Sequence, residues 1–210
     1  MIENKHIPTY YQIGSIDDSP DGGKGAFDYC ETQLSGLGYN GINPVKNEPD
    51  KTGRTTVEQL KYLQGLWRSH SNEEFIKEME KIWIADLNAV KKADFIVLHY
   101  EKTDKVIGTV LEMTMAQLVS LLGHIPDGEY CSVEDKVHLQ SASYHLKKAG
   151  LQAKPIYWVC REGGTTGINS TLKYIILLSG GQIFETYKSL TEFLDKTYGK
   201  FKVEVKDEKK

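Results

Sequence analysis

The sequence predicts an α/β fold in which a parallel sheet of about five strands carries helices on both faces. Two continuous apolar runs, Phe95–Tyr100 and Pro155–Cys160, have the length and composition of strands that are buried on both sides. Segments with apolar residues at helical spacing lie between the predicted strands. Strands that alternate with helices along a chain are typical of a parallel sheet, because each parallel connection needs a crossover.

The other elements complete this alternating order. Three further strands are predicted, over Thr9–Ile16, Gly41–Pro44 and Gln182–Thr186. Helices are predicted over Ala26–Leu37, Thr56–Trp67, a longer segment opened by Ser71, Gly108–Leu122 and Ser189–Tyr198. Residues 45–55 are predicted as loop, and Ser170–Ser179 fits helix or strand equally well. The spacing Ser71-x-x-Glu74 has the form of a capping box.

This order predicts a single-domain flavodoxin-like or Rossmann-like fold over residues 1–205. Helical insertions are expected near 45–80 and 124–153, and residues 206–210 form a charged tail. In such sheets ligands bind beyond the carboxyl ends of the strands, near a switch in strand order. The loops after the first, second, third and fourth predicted strands are therefore the expected site.

Composition limits the classes of partner. The formal net charge of −3 argues against electrostatic capture of a nucleic acid polymer. Three widely spaced cysteines without a CxxC pair fit a reducing compartment, and the histidines show no HExxH spacing. Because there is no leader-like segment and no run of about 18 apolar residues, we expect a cytoplasmic protein without a membrane partner, metal or cofactor.

Two acids occupy positions that helical spacing assigns to apolar faces. Asp86 shares a face with Ile82, Trp83 and Val90, and Glu112 precedes apolar residues at i+3, i+4 and i+7. A single inward acid is often only a helix cap or a hydrogen-bonded core acid. Two such acids flanking one buried strand favour a site, since uncompensated burial of a carboxylate costs a few kcal/mol. Paired carboxylates suit glycosidic chemistry, although spacing alone leaves phosphate or metal chemistry open.

Three stretches at and between these acids form a recognisable pattern, namely Asp86-Leu-Asn, Ala93-Asp-Phe-Ile-Val-Leu98 and Gly108-Thr-Val-Leu-Glu112. In this order they resemble the core of the nucleoside 2-deoxyribosyltransferase superfamily. The first strand, Tyr10-Tyr-Gln-Ile-Gly-Ser-Ile16, is similar to the opening strand of the related 5′-monophosphate N-glycosidases. The resemblance covers about two thirds of the chain.

The resemblance implies a role for each matching residue. Glu112 corresponds to the nucleophile that takes up the ribosyl carbon, and Asp86 to the acid that assists proton transfer to the leaving base. Tyr11 corresponds to a tyrosine that hydrogen-bonds the nucleophile, with a core-packed tyrosine as the alternative. The implied substrate-binding residues are Gly14, Ser15 and Ile16 in the first turn, Gly108 and Thr109 at a helix N-terminus, and Ser170 beside a neighbouring subunit's phosphate. The alternative for Ser170 is a serine that only caps a helix.

These matches predict an N-glycosidase or 2-deoxyribosyltransferase acting on a small nucleoside or nucleoside 5′-monophosphate, as a homodimer or larger homo-oligomer. The Gly-Ser-Ile turn and Ser170 favour hydrolysis over base transfer. Asp17 and Asp18 depart from the basic residue expected after that turn, which argues against a phosphorylated substrate. The alternative function is a non-catalytic nucleotide-sensing module, in which the acids only bind ribose hydroxyls.

Overall fold

One parallel sheet of five strands lies at the centre of the protein. The computed structural model describes residues 6–14, 21, 23–47, 54–100, 113, 117–118, 133–160 and 170–201. The strands are β1 (Thr9–Ile13), β2 (Asn40–Ile42), β3 (Phe95–Tyr100), β4 (Ile156–Cys160) and β5 (Gln182–Phe184). Their order in the sheet is β2-β1-β3-β4-β5. This order confirms the predicted flavodoxin-like fold.

Seven helices connect or follow these strands in the described part of the chain. They are α1 (Lys24–Leu34), α2 (Pro44–Asn47), α3 (Thr56–Arg68), α4 (Asn72–Lys92), α5 (Val133–Lys148), α6 (Ser170–Leu178) and α7 (Tyr187–Tyr198). Met113, Gln117 and Leu118 are also helical, while the rest of the predicted helix Gly108–Leu122 lies outside the described residues. No helix in the described ranges has the length and apolarity needed to cross a membrane.

Several predicted boundaries are wrong by a few residues. The segment Ser170–Ser179, which fitted helix or strand, forms α6. Strand β1 ends at Ile13, strand β5 ends at Phe184, and a short helix replaces the start of the loop predicted at 45–55. Helix α1 begins at Lys24 rather than Ala26, because Gly23 takes a left-handed conformation with φ of 78° that turns the chain into the helix.

The predicted capping box at Ser71 is also wrong. Ser71 precedes α4 but makes no side-chain capping bond, and its hydroxyl lies 3.0 Å from that of Ser69. The Glu74 carboxylate accepts a hydrogen bond from Tyr62 on α3 instead. A full capping box is present at α3, where Thr55 and Glu58 each accept from the other's backbone N–H.

Both faces of the sheet are covered, which explains the continuous apolar strands. The first face packs against α4, α6 and the helix containing Met113, through Tyr11, Ile13, Ala89, Val90, Ile96, Leu98, Met113, Trp158, Leu172 and Ile176. The second face packs against α1 and α7, through Tyr10, Cys30, Leu34, Phe95, Val97, Tyr157, Val159, Tyr187, Leu190 and Leu194. The chain therefore buries a separate core on each side of one sheet.

Helix α4 is longer than the sheet it covers. It contains 21 residues, which at 1.5 Å per residue gives a length of about 31 Å, whereas the six residues of β3 span about 20 Å. Because α4 ends two residues before β3 begins, its last turns lie at the amino edge of the sheet and its first turns extend past the carboxyl edge. Helix α3 packs along α4, where Gln59 donates to Glu78 at 3.3 Å.

Candidate functional site

A buried tyrosine and a buried aspartate meet on the first face of the sheet. The hydroxyl of Tyr11 on β1 donates a hydrogen bond to Oδ1 of Asp86 on α4, at 3.0 Å. Tyr11 is fully buried, and Asp86 retains 8% exposure. The two residues are 75 positions apart in the chain, so only the tertiary fold brings them together.

Strand and helix periodicity together place this pair. Along β1 side chains alternate between the faces, so Tyr11 and Ile13 point to the α4 side while Tyr10 points to α1. On α4, Asp86 lies one turn before Val90, which is buried in the same cluster as Tyr11. The prediction that Asp86 faces inward is therefore confirmed.

The hydrogen bond offsets part of the cost of burying the Asp86 carboxylate. A buried polar group without a partner costs about 1–3 kcal/mol, and a hydrogen bond to a charged group returns about 1.5–3 kcal/mol. Tyr11 also fixes the carboxylate in one orientation, because the tyrosine ring is held on all sides by the apolar cluster. Such a fixed, partly accessible carboxylate is suited to proton transfer or to binding a polar substrate group.

The second face carries its own polar side chains at the carboxyl ends of β1 and β3. His99 on β3 is 3% exposed, and its ring lies over Gly14, the residue that follows β1. Phe27 in the first turn of α1 contacts the His99 ring edge-to-face, with ring centroids 4.4 Å apart. These contacts place the start of α1 beside the point between β1 and β3 at which the strand order changes direction.

Gly14 is predicted to line the substrate pocket, and its place against His99 leaves no room for a larger residue. A Cβ at position 14 would lie 2.3 Å from Cε1 of His99, whose ring is held by Phe27. We expect Gly14→Ala to lower the free energy of unfolding by about 1–3 kcal/mol, measured by urea denaturation. Gly65→Ala is the control, since nothing lies within 4 Å there and α3 should gain up to about 1 kcal/mol. Equal stability of Gly14→Ala and the wild type would contradict this packing.

Gln12 is a buried polar residue that the sequence analysis missed. It is fully buried on the α1 side of β1, and neither its amide oxygen nor its amide nitrogen has a hydrogen-bond partner in the described structure. Nε2 of His99 is likewise buried without a partner. A polar residue inside an otherwise apolar strand is the signal that could have identified Gln12. Both side chains lie on the α1 side of the sheet, on the two strands that flank the switch point.

His99 makes stability depend on pH. Burial lowers the pKa of His99 from 6.5 to about 3. Between those values the unfolded chain binds a proton at this position and the folded chain does not, so stability falls as the pH falls from 6.5 towards 3. We expect the free energy of unfolding to fall by about 1.4 kcal/mol for each unit by which the pH is lowered in this window, because of His99 alone.

The measurement is urea denaturation between pH 4 and 7 for the wild type and for His99→Phe, which keeps a ring but cannot titrate. The slope of unfolding free energy against pH should be smaller in His99→Phe than in the wild type by about 1.4 kcal/mol per pH unit. His138→Gln is the control, because the His138 side chain is 75% exposed on α5. Identical slopes for the wild type and His99→Phe would show that His99 titrates normally.

The remaining predicted site residues divide into two groups. Ser170 is the exposed first residue of α6, which follows β4 and so begins on the carboxyl side of the sheet. Its predicted contact with a neighbouring subunit stays a prediction. Five predicted residues lie outside the described residues, namely Glu112, Ser15, Ile16, Gly108 and Thr109. Met113, next to the predicted nucleophile, is buried in the same cluster as Tyr11.

The other polar clusters in the described structure consist of paired charges that stabilise the fold, and they do not direct several polar groups towards one site. No group of three or more His, Cys, Asp or Glu side chains within the described ranges could hold a metal ion. An open groove along α4, between His70 and Ile84, is lined by charged side chains and does not include Asp86. Its charges are largely paired within the helix, as in Lys77 with Glu73 at 3.0 Å. We therefore place the candidate site at the Tyr11–Asp86 pair.

Comparison with protein-family models, curated proteins and solved structures gives no significant match to this chain.

Proposed function

We propose that this protein cleaves the N-glycosidic bond of a (deoxy)nucleoside or a nucleoside 5′-monophosphate. The observation that carries the proposal is the buried hydrogen bond from Tyr11 to Asp86, which holds an acid in one orientation on the α4 side of a parallel sheet. Glu112 follows β3 in the sequence by 12 residues and is the proposed nucleophile. The resemblance of the Asp86–Glu112 segment to the deoxyribosyltransferases supports the same roles.

The proposed reaction has two steps. A carboxylate oxygen of Glu112 attacks the anomeric carbon, the bond to the base nitrogen breaks, and its electron pair leaves with the base. Asp86 assists delivery of a proton to that departing nitrogen. Water or a second base then attacks the anomeric carbon and releases Glu112. Two displacements at one carbon retain the anomeric configuration.

Tyr11 acts on Asp86 in this scheme as a positioning residue. Its hydroxyl donates to Oδ1 of Asp86, and the scheme assigns the other oxygen, Oδ2, to the substrate. We propose hydrolysis rather than base exchange, because the Gly-Ser-Ile turn and Ser170 resemble the N-glycosidase branch of the superfamily.

The test is to incubate the protein with a panel of nucleosides and nucleoside 5′-monophosphates, with and without acceptor bases, and to separate the products by liquid chromatography. Free base without an acceptor identifies a hydrolase, and base exchange identifies a transferase. Binding of a nucleotide without turnover of any substrate would contradict the proposal and favour the sensing module. We also propose a homodimer or larger assembly, which light scattering coupled to size-exclusion chromatography measures directly.

A further inference from the structure

A second buried hydrogen bond fixes the helix containing Met113, the residue that follows Glu112 in the chain. Met113 is fully buried in the cluster that also contains Tyr11. Gln117 lies one helical turn later, is equally buried, and donates from its side-chain amide to the backbone carbonyl of Lys154. Side chains four residues apart on a helix share one face, so Met113 and Gln117 together hold this helix against the sheet.

The acceptor of this bond belongs to a rigid part of the sheet. Lys154 comes two residues before β4, a strand that is buried along its whole length and pairs with β3 and β5. The carbonyl of the next residue, Pro155, accepts from the N–H of Ile96 on β3 at 2.9 Å, so the chain around Lys154 is fixed to the central strands. A hydrogen bond is directional, whereas apolar contact is not, so the bond from Gln117 sets the position of the helix along the sheet more exactly than Met113 alone.

An amide is an unfavourable choice at position 117 unless its hydrogen bond is needed. The side-chain oxygen of Gln117 is buried without a hydrogen-bond partner in the described structure. A methionine of similar length would fill much of the same space and leave no side-chain oxygen unpaired. Among the described contacts, the bond to Lys154 is what the amide gains in return. The residue type therefore indicates a need for this bond rather than for packing alone.

We propose that Gln117 is a positioning residue for the nucleophile, which holds the chain next to Glu112 at a fixed place relative to Asp86. This inference rests on the proposed N-glycosidase function and adds a residue to it. Asp86 is tied to the sheet by the hydrogen bond from Tyr11 on β1, and the helix containing Met113 is tied to the same sheet by Gln117. One rigid frame thus holds both halves of the proposed catalytic pair. Because a displacement of about 1 Å at a reacting group can cost about 10²-fold in rate, loss of the Gln117 bond should slow the chemical step.

The test is Gln117→Met in the full chain, which keeps the length of the side chain but cannot donate to the Lys154 carbonyl. We expect kcat for base release to fall by about 10–10²-fold while KM for the same nucleoside changes by less than about twofold, since substrate binding is left intact. Hydrogen–deuterium exchange of the backbone amides of residues 113–118 should become about tenfold faster. Gln117→Leu is a second apolar replacement with the same expected results, in case methionine packs poorly.

Gln59→Met is the matched control, because Gln59 also donates its side-chain amide between two elements, from α3 to Glu78 on α4 at 3.3 Å. It should change neither kcat nor the exchange of residues 113–118. All rates are measured at a temperature at which thermal unfolding shows each variant to be folded, which separates positioning from loss of the fold.

A wild-type kcat in folded Gln117→Met, or an equal fall of kcat in Gln59→Met, would overturn the role of Gln117 while leaving the N-glycosidase function intact. Absence of base release by the wild type from every substrate would refute that function instead. In that case unchanged exchange of residues 113–118 in Gln117→Met would show, independently of activity, that the Gln117 bond does not hold this helix.

Discussion

Replacing Glu112 by Gln is expected to lower kcat/KM for base release by at least about 10³-fold. Glutamine has the same shape and can still hydrogen-bond, but its amide oxygen cannot form a stable ester with the anomeric carbon. The loss should appear in kcat, because the nucleophile acts on the bound substrate. Chromatographic assay of released base measures the loss, and mass spectrometry of the quenched wild-type enzyme should detect a ribosyl adduct that the variant lacks.

Glu134→Gln on α5 is the control for this variant, since its side chain is 87% exposed and it changes the net charge equally. The control should retain wild-type activity. Thermal unfolding of Glu112→Gln near the wild-type temperature would show that the fold survives. Retained activity in Glu112→Gln with an intact fold would exclude Glu112 as the nucleophile.

Replacing Asp86 by Asn is expected to lower kcat/KM by about 10²–10⁴-fold, the usual contribution of proton-transfer catalysis. Asparagine can still accept the hydrogen bond from Tyr11, so the geometry of the pair is preserved while the acid is lost. The loss should depend on the leaving group: a substrate whose base departs readily without protonation should lose least. Rates for two nucleosides that differ in leaving-group basicity measure this dependence.

Asp195→Asn on α7 is the matched control, because Asp195 pairs with Lys200 at 3.5 Å on the opposite side of the sheet. It should change neither rate. A loss in Asp86→Asn that is the same for both leaving groups would point to substrate binding by Asp86 rather than proton transfer. No loss at all would show that Asp86 is only a satisfied core acid.

The sheet could be predicted from the sequence because its strands are buried on both faces. The bounds of β3 are those predicted, and β4 differs by one residue, since a short apolar run between polar segments has few other interpretations. Helix α6 could not be distinguished from a strand by pattern, because residues 174–178 are a continuous apolar run without helical periodicity. Its packing decides the matter: Leu172 and Ile176, one turn apart, are both buried on the first face.

Local signals failed where two side chains compete for one partner. Thr55-x-x-Glu58 and Ser71-x-x-Glu74 have the same spacing, yet only the first forms a capping box. The carboxylate of Glu74 is engaged by a hydroxyl from another helix, which spacing along one segment cannot reveal. The Asp21 carboxylate, which accepts from the backbone N–H of Gly25 at the start of α1, also escaped notice, because its segment has the composition of a solvated turn.

The inward orientation of Asp86 could be predicted, but its partner could not. Helical spacing assigns Asp86 to the buried face of α4, and strand alternation assigns Tyr11 to one side of β1. Which strand of the sheet lies under which helix depends on topology, and the pair is 75 residues apart. Tyr11 was expected to bond the nucleophile Glu112, which lies outside the described residues, so that expectation stays a prediction; the bond to Asp86 is described in addition to it.

The strand order also has a consequence for folding kinetics. Strand β1 pairs with β3, whose first residue follows β1 by more than 80 positions, so the centre of the sheet closes a long loop. Such non-local pairing is slow, because the chain loses conformational entropy when the loop closes, before the strand contacts that offset this loss have formed. Since Asp86 lies on the helix that leads directly into β3, docking β3 against β1 also delivers Asp86 to Tyr11. A nascent chain shorter than about 100 residues lacks the complete strand β3. Asp86 and Tyr11 therefore come together only when the middle of the sheet forms.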